Sequence, residues 1–466
     1  MKTLLIVIAI LALIYAGAIV WFHDPETGLR FDLEGLRADS LRFGREFLWG
    51  SSTSAYQVEG GCTNNNWYLF ESEKDNEGQP RIRAGQRSGQ AADHWNRYKE
   101  DIQLMKALHL NTYRFSVEWS KIEPAEGVFS DSALDHYGLV VDELLANGIE
   151  PFVTLHHFTD PIWFQQRGGF EREDAPELLS RFANRVVRRL GPKVRFWSTI
   201  NEPSVYAVNG YYLTEFPPAT RDAAKAITVF RNLLRGHTSC YREIKRLRAD
   251  AQVGLLMNIF PFDPPSFWNL LDVVLAHYLN RGFSLAILDY LNTGVFEFSL
   301  PGVGSTRFDS GVREGFDYVG LNYYTRLRYR FSPFDGGKFA EVQTLPPSEL
   351  TDMGWEIYPE GLYRALAMVS SRTTKPIYIT ENGIADDRDL RRAAFIEDHI
   401  RVANRAIANG MNVRGYFYWS LLDNFEWAKG FDVRFGLYAV DYATQKRTLR
   451  EGSKKYGEMI MRASTR

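Results

Sequence analysis

The chain has 466 residues, of which 45% are hydrophobic and 24% charged, as in ordinary globular proteins. Its net charge of -2 gives no reason to expect nucleic acid or an anionic surface as a partner. Its two cysteines, Cys62 and Cys240, lack the ligand spacing of a zinc or iron–sulfur site, so we expect no metal, no cofactor and unpaired thiols, with a disulfide as the less favoured alternative.

The first predicted element is a membrane-crossing helix over residues 1–23. Residues 3–22 are almost all apolar, and 20 such residues suffice to cross a hydrocarbon core. The triplet Ala16-Gly17-Ala18 fits a small-x-small cleavage site, so a cleaved signal peptide and a secreted protein are the alternative. The apolar run continues to Phe22, which cleavage does not require and which favours an uncleaved single-pass anchor. Lys2 precedes the run and Asp24 follows it, so the positive-inside rule places the rest of the chain on the extracytoplasmic side.

The remainder of the chain divides into a short charged stretch and one long domain. Residues 24–44 carry many charges and are predicted to form a juxtamembrane spacer, with a short helix as an option. From 45 to 466 there is no Pro/Gly/Ser-rich linker, low-complexity tract or repeat, so we predict a single domain over 45–466.

Eight short runs in this domain have the composition of buried strands. They are rich in β-branched and aromatic residues and are bounded by polar or turn residues. The runs are 47–52, 112–117, 150–156, 194–200, 252–258, 316–322, 376–380 and 413–419. Amphipathic stretches such as 98–108 and 175–187 lie between them, with apolar residues spaced as on one helix face. Eight alternating units with near-continuous apolar strands predict an α/β fold, a single (β/α)8 TIM barrel.

Polar side chains gather at one end of these runs, which in such barrels is the end that carries the active site. Two of them are carboxylates that end apolar runs, Glu202 in Asn201-Glu202-Pro203 and Glu381 in Thr380-Glu381-Asn382-Gly383. Two facing carboxyl groups are the minimum set of catalytic groups for cleaving a glycosidic bond, since one protonates the leaving oxygen and the other attacks the anomeric carbon. The sequence therefore predicts an active site at the carboxyl ends of the strands.

The chain resembles family 1 glycoside hydrolases, the β-glucosidase and β-galactosidase type, from about residue 45 to 460. The resemblance rests on these motifs: Phe47-Leu-Trp-Gly, Ser54-Ala-Tyr-Gln-Val-Glu-Gly60, Tyr113-Arg-Phe-Ser, Thr154-Leu-His-His, Asn201-Glu-Pro, Gly320-Leu-Asn-Tyr-Tyr, Thr380-Glu-Asn-Gly and Trp419-Ser-Leu-Leu-Asp-Asn-Phe-Glu-Trp427. It implies that Glu381 is the nucleophile and Glu202 the acid/base, in a retaining mechanism with the two carboxyl groups about 5–5.5 Å apart.

The resemblance also implies the supporting residues. Arg114 and Tyr324 would contact the nucleophile, although a plain buried ion pair is the alternative for Arg114. Asn201 would bind the sugar 2-hydroxyl, with loop capping as its alternative. The remaining expected sugar-binding residues are Gln57, His157, Asn322, Tyr324, Trp419, Glu426, Trp427 and Phe435.

Two features bear on the substrate. Glu426 stands where branches that act on 6-phosphorylated sugars usually carry a small residue, so we expect an unphosphorylated sugar. Residues 259–315 depart most from the family, and their apolar residues serve either helix packing or an apolar or lipid aglycone close to a membrane. The favoured function is hydrolysis of β-glucosides or β-galactosides. A membrane-anchored transglycosylase is the alternative, and a non-catalytic sugar-binding receptor is less favoured because both glutamates are present.

Overall fold

A computed structural model describes residues 2–38, 40–335, 338–343 and 345–464. The last two residues of the domain predicted over 45–466 lie outside the described residues. The strands are β1 Leu48–Ser52, β2 Thr112–Ser116, β3 Glu150–His156, β4 Phe196–Asn201, β5 Gln252–Asn258, β6 Phe262–Asp263, β7 Val295–Leu300, β8 Gly304–Asp309, β9 Tyr318–Asn322, β10 Leu327–Asp335, β11 Lys338–Val342, β12 Ile377–Asn382, β13 Val413–Trp419, β14 Tyr438–Asp441 and β15 Lys446–Leu449.

The α-helices alternate with the main strands. They are α1 Lys2–Phe22, α2 Leu33–Ala38, α3 Ala55–Val58, α4 Asn66–Phe70, α5 His94–Ala107, α6 Trp119–Ile122, α7 Asp131–Ala146, α8 Ile162–Gln166, α9 Ala175–Leu190, α10 Pro203–Val208, α11 Ala223–Leu247, α12 Leu270–Asn280, α13 Ala286–Thr293, α14 Pro359–Ser370, α15 Arg392–Ala408 and α16 Lys454–Ser464. Shorter turns of 3-10 helix lie at Arg83–Gly85, Gly169–Glu171, Pro347–Glu349 and Trp427–Lys429, and π-helical turns at Asn209–Leu213 and Arg281–Leu285.

Eight strands close into a parallel barrel in the order β1-β13-β12-β9-β5-β4-β3-β2. These are the eight runs identified in the sequence, so the predicted (β/α)8 fold is confirmed. The strands are buried along almost their whole length, which explains why they read as continuous apolar runs rather than as an alternating pattern. The helices cover the outside; α9, for example, buries Leu179, Phe182 and Val186 along one face.

Large side chains fill the barrel interior toward the beginnings of the strands. Phe152 of β3 and Phe196 of β4 stack with ring centroids 5.1 Å apart, and both contact the ring of Tyr378 from β12. The barrel is therefore a packed core at this level, as expected for its size. Polar side chains take over only toward the carboxyl ends of the strands.

The charged segment 24–44 lies against the barrel. Arg37 in α2 donates two hydrogen bonds to Asp398 of α15, at 2.9 and 3.0 Å, and the backbone N–H of Phe31 donates to Glu360 of α14 at 3.0 Å. The helix α1 before it has no buried residue and is long and apolar enough to cross a membrane. Its role and the boundary at residue 24 stay predictions.

Residues 259–315 hold β6, α12, α13 and the antiparallel pair β7–β8, which the strand pattern did not predict. The apolar residues of this region divide into two groups. Val273 and Ala276 of α12 are buried, as helix packing requires, whereas Trp268 and Leu271 are exposed.

Candidate active site

Glu202 follows β4 directly and caps the start of α10. Its backbone adopts a left-handed conformation with φ 47°, an uncommon state for a residue with a side chain, and its N–H donates to the carbonyl of Leu256 in β5 at 2.9 Å. The side chain is buried, and Asn322 Nδ2 donates to Glu202 Oε1 at 2.8 Å. Strained residues of this kind cluster at functional sites, where surrounding contacts hold them in place.

Glu381 lies within β12, opposite Asn322 in the register of β12 with β9. Two donors hold its buried carboxylate. Arg114 Nη1 donates to Oε1, and the Tyr324 hydroxyl donates to Oε2 at 2.6 Å. A guanidinium and a phenol on the two oxygens therefore fix the orientation of this carboxylate.

The two carboxyl groups interact electrostatically. Burial and, second, the negative charge of Glu381 raise the pKa of Glu202 to about 8, against the opposing effects of Asn322 and Arg114. Asn322 also accepts a hydrogen bond from Thr380 Oγ1 at 2.7 Å, which connects the two strand ends. A carboxyl group with a raised pKa beside a second carboxylate is suited to act as a general acid.

Arg114 connects Glu381 to Asn201 and His157. Its side chain is fully buried, and its Nη2 donates to Asn201 Oδ1 at 2.8 Å and lies 3.3 Å from His157 Nδ1. Its Nε donates to Thr154 Oγ1 at 3.0 Å. Burial, followed by the charges of Arg114 and His156, lowers the pKa of His157 well below its usual range. Both ring nitrogens of His157 lie near donor groups, Nδ1 near Arg114 Nη2 and Nε2 at 3.2 Å from Asn201 Nδ2.

A second polar group contains Gln57 and Glu426. Gln57 Nε2 donates to Glu426 Oε2 at 3.2 Å and to Asn424 Oδ1 at 2.9 Å. Burial and, second, the charge of Glu381 raise the pKa of Glu426 to about 8, while hydrogen bonds from Trp419 and Gln57 act in the opposite direction. Glu426 therefore holds its proton to a higher pH than a free glutamate does.

Aromatic rings border both groups. The ring centroid of His157 lies 5.9 Å from Trp419 and 6.0 Å from Trp427, with small interplanar angles, and Phe435 lies 6.0 Å from Tyr324. The structure thus brings the predicted site residues together through shared contacts, from Gln57 and Glu426 on one side to Glu202 on the other. The predicted carboxyl separation and the role of each residue stay predictions.

Other residues of the site were given no role in the sequence analysis. Trp355 lies 5.2 Å from the Tyr324 ring and 6.1 Å from Phe435, and it is only partly buried. It follows the β10–β11 hairpin rather than a barrel strand, so strand-end reasoning could not find it. Asn258 does end a barrel strand, and its side chain hydrogen-bonds Glu202. Its position at the end of a strand is the sequence signal that identifies Asn258 as a site residue.

Two buried glutamates at the carboxyl ends of a closed (β/α)8 barrel, one with a pKa raised in part by the charge of the other, are typical of a glycosidase. Residues 39–465 match the model of glycosyl hydrolase family 1. The chain belongs to this family and is a glycosyl hydrolase.

Known relatives match nearly the whole chain. Beta-glucosidase A from Thermotoga maritima is 34% identical over 444 residues, which cover 90% of this chain and 98% of the relative. The structure of a beta-glycosidase from Pyrococcus horikoshii is 39% identical, with a TM-score of 0.80 and coverage of 91% and 96%. A protein named 6-phospho-beta-glucosidase GmuD from Bacillus subtilis is 30% identical over 461 residues, covering 90% of this chain and 98% of that protein.

Proposed function

We propose that the protein hydrolyses unphosphorylated β-D-glucosides and β-D-galactosides with retention of configuration, by a double displacement on two glutamates. The unequal environments of the two carboxyl groups carry the proposal. Glu381 accepts from a guanidinium and a phenol, whereas Glu202 has a pKa raised to about 8.

In the first step, a Glu381 oxygen attacks the anomeric carbon and forms a glycosyl ester. The bond from that carbon to the leaving oxygen breaks, and Glu202 gives this oxygen its proton. Formation of the ester removes the charge of Glu381, which is one of the causes of the raised pKa of Glu202. Glu202 is then better able to remain ionised for the second step.

In the second step, Glu202 takes a proton from a water molecule. The water oxygen bonds to the anomeric carbon, the ester bond to Glu381 breaks, and the original protonation states return. The same group therefore serves as acid and then as base because its neighbour loses and regains its charge.

The polar residues around the pair would hold the sugar. Asn201 faces the 2-hydroxyl in this proposal, and Gln57, His157 and Glu426 face the hydroxyls farther round the ring, with Trp419 beneath it. A buried site of this kind discriminates strongly against analogues that lack a hydroxyl, because its own polar groups then go unpaired.

An unphosphorylated sugar is supported by the electrostatic field of the pocket. The charge of Glu381 raises the pKa values of both Glu202 and Glu426, so the field at both positions favours holding a proton. The donors on Glu426 are the neutral side chains of Gln57 and Trp419. A phosphate dianion placed beside Glu426 would face the same unfavourable potential.

Chromophore release from aryl glycosides tests the reaction. We expect release from β-glucoside or β-galactoside and little from 6-phospho-β-glucoside, with loss of the activity in Glu381→Ala. Azide should restore release by Glu381→Ala through an α-glycosyl azide, and release by Glu202→Ala from an activated aryl glycoside through a β-glycosyl azide. Inverted anomers from the parent enzyme, or preferred release from the phosphorylated sugar, would contradict the proposal.

We also propose that α1 anchors the enzyme in a membrane and that the catalytic domain, from about residue 45, lies on the extracytoplasmic side. Support comes from the length and apolar composition of α1 and from its lack of buried residues. Carbonate extraction of membranes, together with the mass of the purified chain, tests this. A chain that begins near Ile19 would show signal cleavage. The relatives named above give the transglycosylase alternative no support.

A further inference from the structure

A short segment of the connection between β5 and β9 exposes large apolar side chains. Phe267, Trp268 and Leu271 are 44%, 82% and 55% exposed. Residues 264–271, with the sequence Pro-Pro-Ser-Phe-Trp-Asn-Leu-Leu, contain no charged side chain. A cluster of this kind is a typical interaction surface of a folded protein.

The segment lies directly against α1. The Tyr15 hydroxyl donates to the carbonyl oxygen of Trp268 at 2.6 Å and accepts from the N–H of Leu270 at 3.2 Å. Farther along the helix, the ring of Phe22 lies 5.1 Å from the ring of His277 in α12. Tyr15 is the only residue from Leu4 to Phe22 that carries a hydroxyl group, and this hydroxyl makes both of these hydrogen bonds to the segment.

Backbone hydrogen bonding in the segment suits an apolar solvent. The N–H of Trp268 donates to Ser266 Oγ at 3.3 Å, and the N–H of Leu271 donates to Asn269 Oδ1 at 3.1 Å. With the two bonds of Tyr15, these contacts satisfy backbone groups that water would otherwise bind. Backbone outside a helix is tolerated at membrane depth only where its polar groups have protein partners.

The level of the segment along α1 can be worked out from the helix rise. Tyr15 precedes Phe22 by seven residues, which is about 10 Å at the rise of an α-helix. Amphipathic helices that lie in a membrane interface bury their apolar face by about 5–10 Å, and Trp and Tyr are enriched at that level.

We propose that residues 264–271 insert into the outer surface of a lipid bilayer beside α1. The inference rests on the proposed anchoring by α1. A single helix leaves the barrel free to turn about the helix axis, and a second inserted segment removes that freedom. Pro264 follows Asn258, at the carboxyl end of β5, by six positions, a span of at most about 20 Å. The active site is thereby held close to the lipid surface.

Depth-dependent quenching on the full chain tests the proposal. Cys62 and Cys240 are buried, so a polarity-sensitive fluorophore will label an introduced cysteine. Three variants are compared in phosphatidylcholine vesicles at a high lipid-to-protein ratio: Trp268→Cys, Ile10→Cys within α1, and Leu139→Cys on α7 as the exposed control. Lipids with a doxyl group on the acyl chain report contact with the bilayer, and iodide reports contact with water.

We expect doxyl lipids to quench the labels at 268 and 10, and iodide to quench the label at 139 several-fold more strongly than these two. In Tyr15→Phe, quenching at 268 by doxyl lipid should fall at least twofold while quenching at 10 stays the same. A label at 268 that iodide quenches like the control, with the label at 10 still in lipid, overturns this proposal and leaves the anchor. A label at 268 shielded from both quenchers means that protein covers it, and also overturns the proposal. Absence of lipid quenching at 10 overturns the anchor and this proposal together.

Discussion

Replacing Glu381 by Gln removes the charge that faces Glu202 and keeps the shape of the side chain. If the two carboxyl groups are about 5–5.5 Å apart, as a retaining mechanism requires, their interaction at an effective dielectric constant near 20 is about 3 kcal/mol. That energy corresponds to a change of about two in pKa. The pKa of Glu202, raised to about 8 in the parent, should therefore fall to about 6 in Glu381→Gln. Burial remains and keeps the pKa above that of a free glutamate.

The assay is an NMR titration of glutamate side chains labelled with ¹³C at the carboxyl carbon, with the Glu202 signal assigned by its loss in Glu202→Gln. Glu426→Gln is the matched control, because Glu381 rather than Glu426 contributes the neighbouring charge that raises the pKa of Glu202. The control should leave the Glu202 titration near pH 8. A pKa of Glu202 that stays near 8 in Glu381→Gln would refute the reasoning, since burial alone would then account for it and the two carboxyl groups would not be facing.

Three further predictions follow from the same contacts. For an aryl β-glycoside with a poor leaving group, kcat/KM should fall about tenfold per pH unit above pH 8, because Glu202 loses the proton that the leaving oxygen needs. Steady-state rates measured from pH 6 to 10 test this decrease. A kcat/KM that does not change with pH would contradict the prediction. Tyr324→Phe removes a donor to Glu381 and should lower kcat/KM on the order of 100-fold with little change in the thermal midpoint; an unchanged kcat/KM would assign the phenol a structural role. The free energy of unfolding should decrease from pH 5 to pH 8, because the unfolded chain releases the protons of Glu202 and Glu426 near pH 4.5 whereas the folded chain holds them to about pH 8. Denaturant titrations should show a shallower decrease in Glu426→Gln, and an equal slope would contradict the assignment.

The barrel strands could be predicted from the sequence because burial on both faces leaves little choice of residue. The run 252–258, for example, is largely apolar and ends at the polar residue Asn258, which marks both the strand and its carboxyl end. The β7–β8 pair could not be predicted in the same way. Most of Gly304–Asp309 is exposed or half-buried and carries no apolar run, so its pairing with β7 is visible only in the fold.

The site was predictable to the extent that its residues end barrel strands. Glu202, Glu381 and Asn258 occupy such ends, although the division of roles between the two glutamates came from the family resemblance. Trp355 reaches the pocket from the segment after a hairpin, and nothing in its local sequence indicates which strand end it faces. A contact that depends on how a long loop between strands is routed leaves no pattern in the neighbouring sequence. The bonding of Tyr15 to the 264–271 segment is of the same kind.

The pocket contains three buried carboxyl groups, and the guanidinium of Arg114 contacts one of them. This inequality determines how the three groups differ. Arg114 donates to Glu381, whereas Glu202 and Glu426 receive neutral donors and have pKa values raised to about 8. One positive charge can balance one carboxylate, so at neutral pH the other two are more stable with their protons. In the proposed mechanism, the glutamate that attacks is the one that the guanidinium contacts. Arg114→Lys would keep the charge but lose the planar fork that also donates to Asn201. It should therefore impair sugar binding as well as attack, lowering kcat and raising KM together, whereas loss of the charge alone would act mainly on kcat.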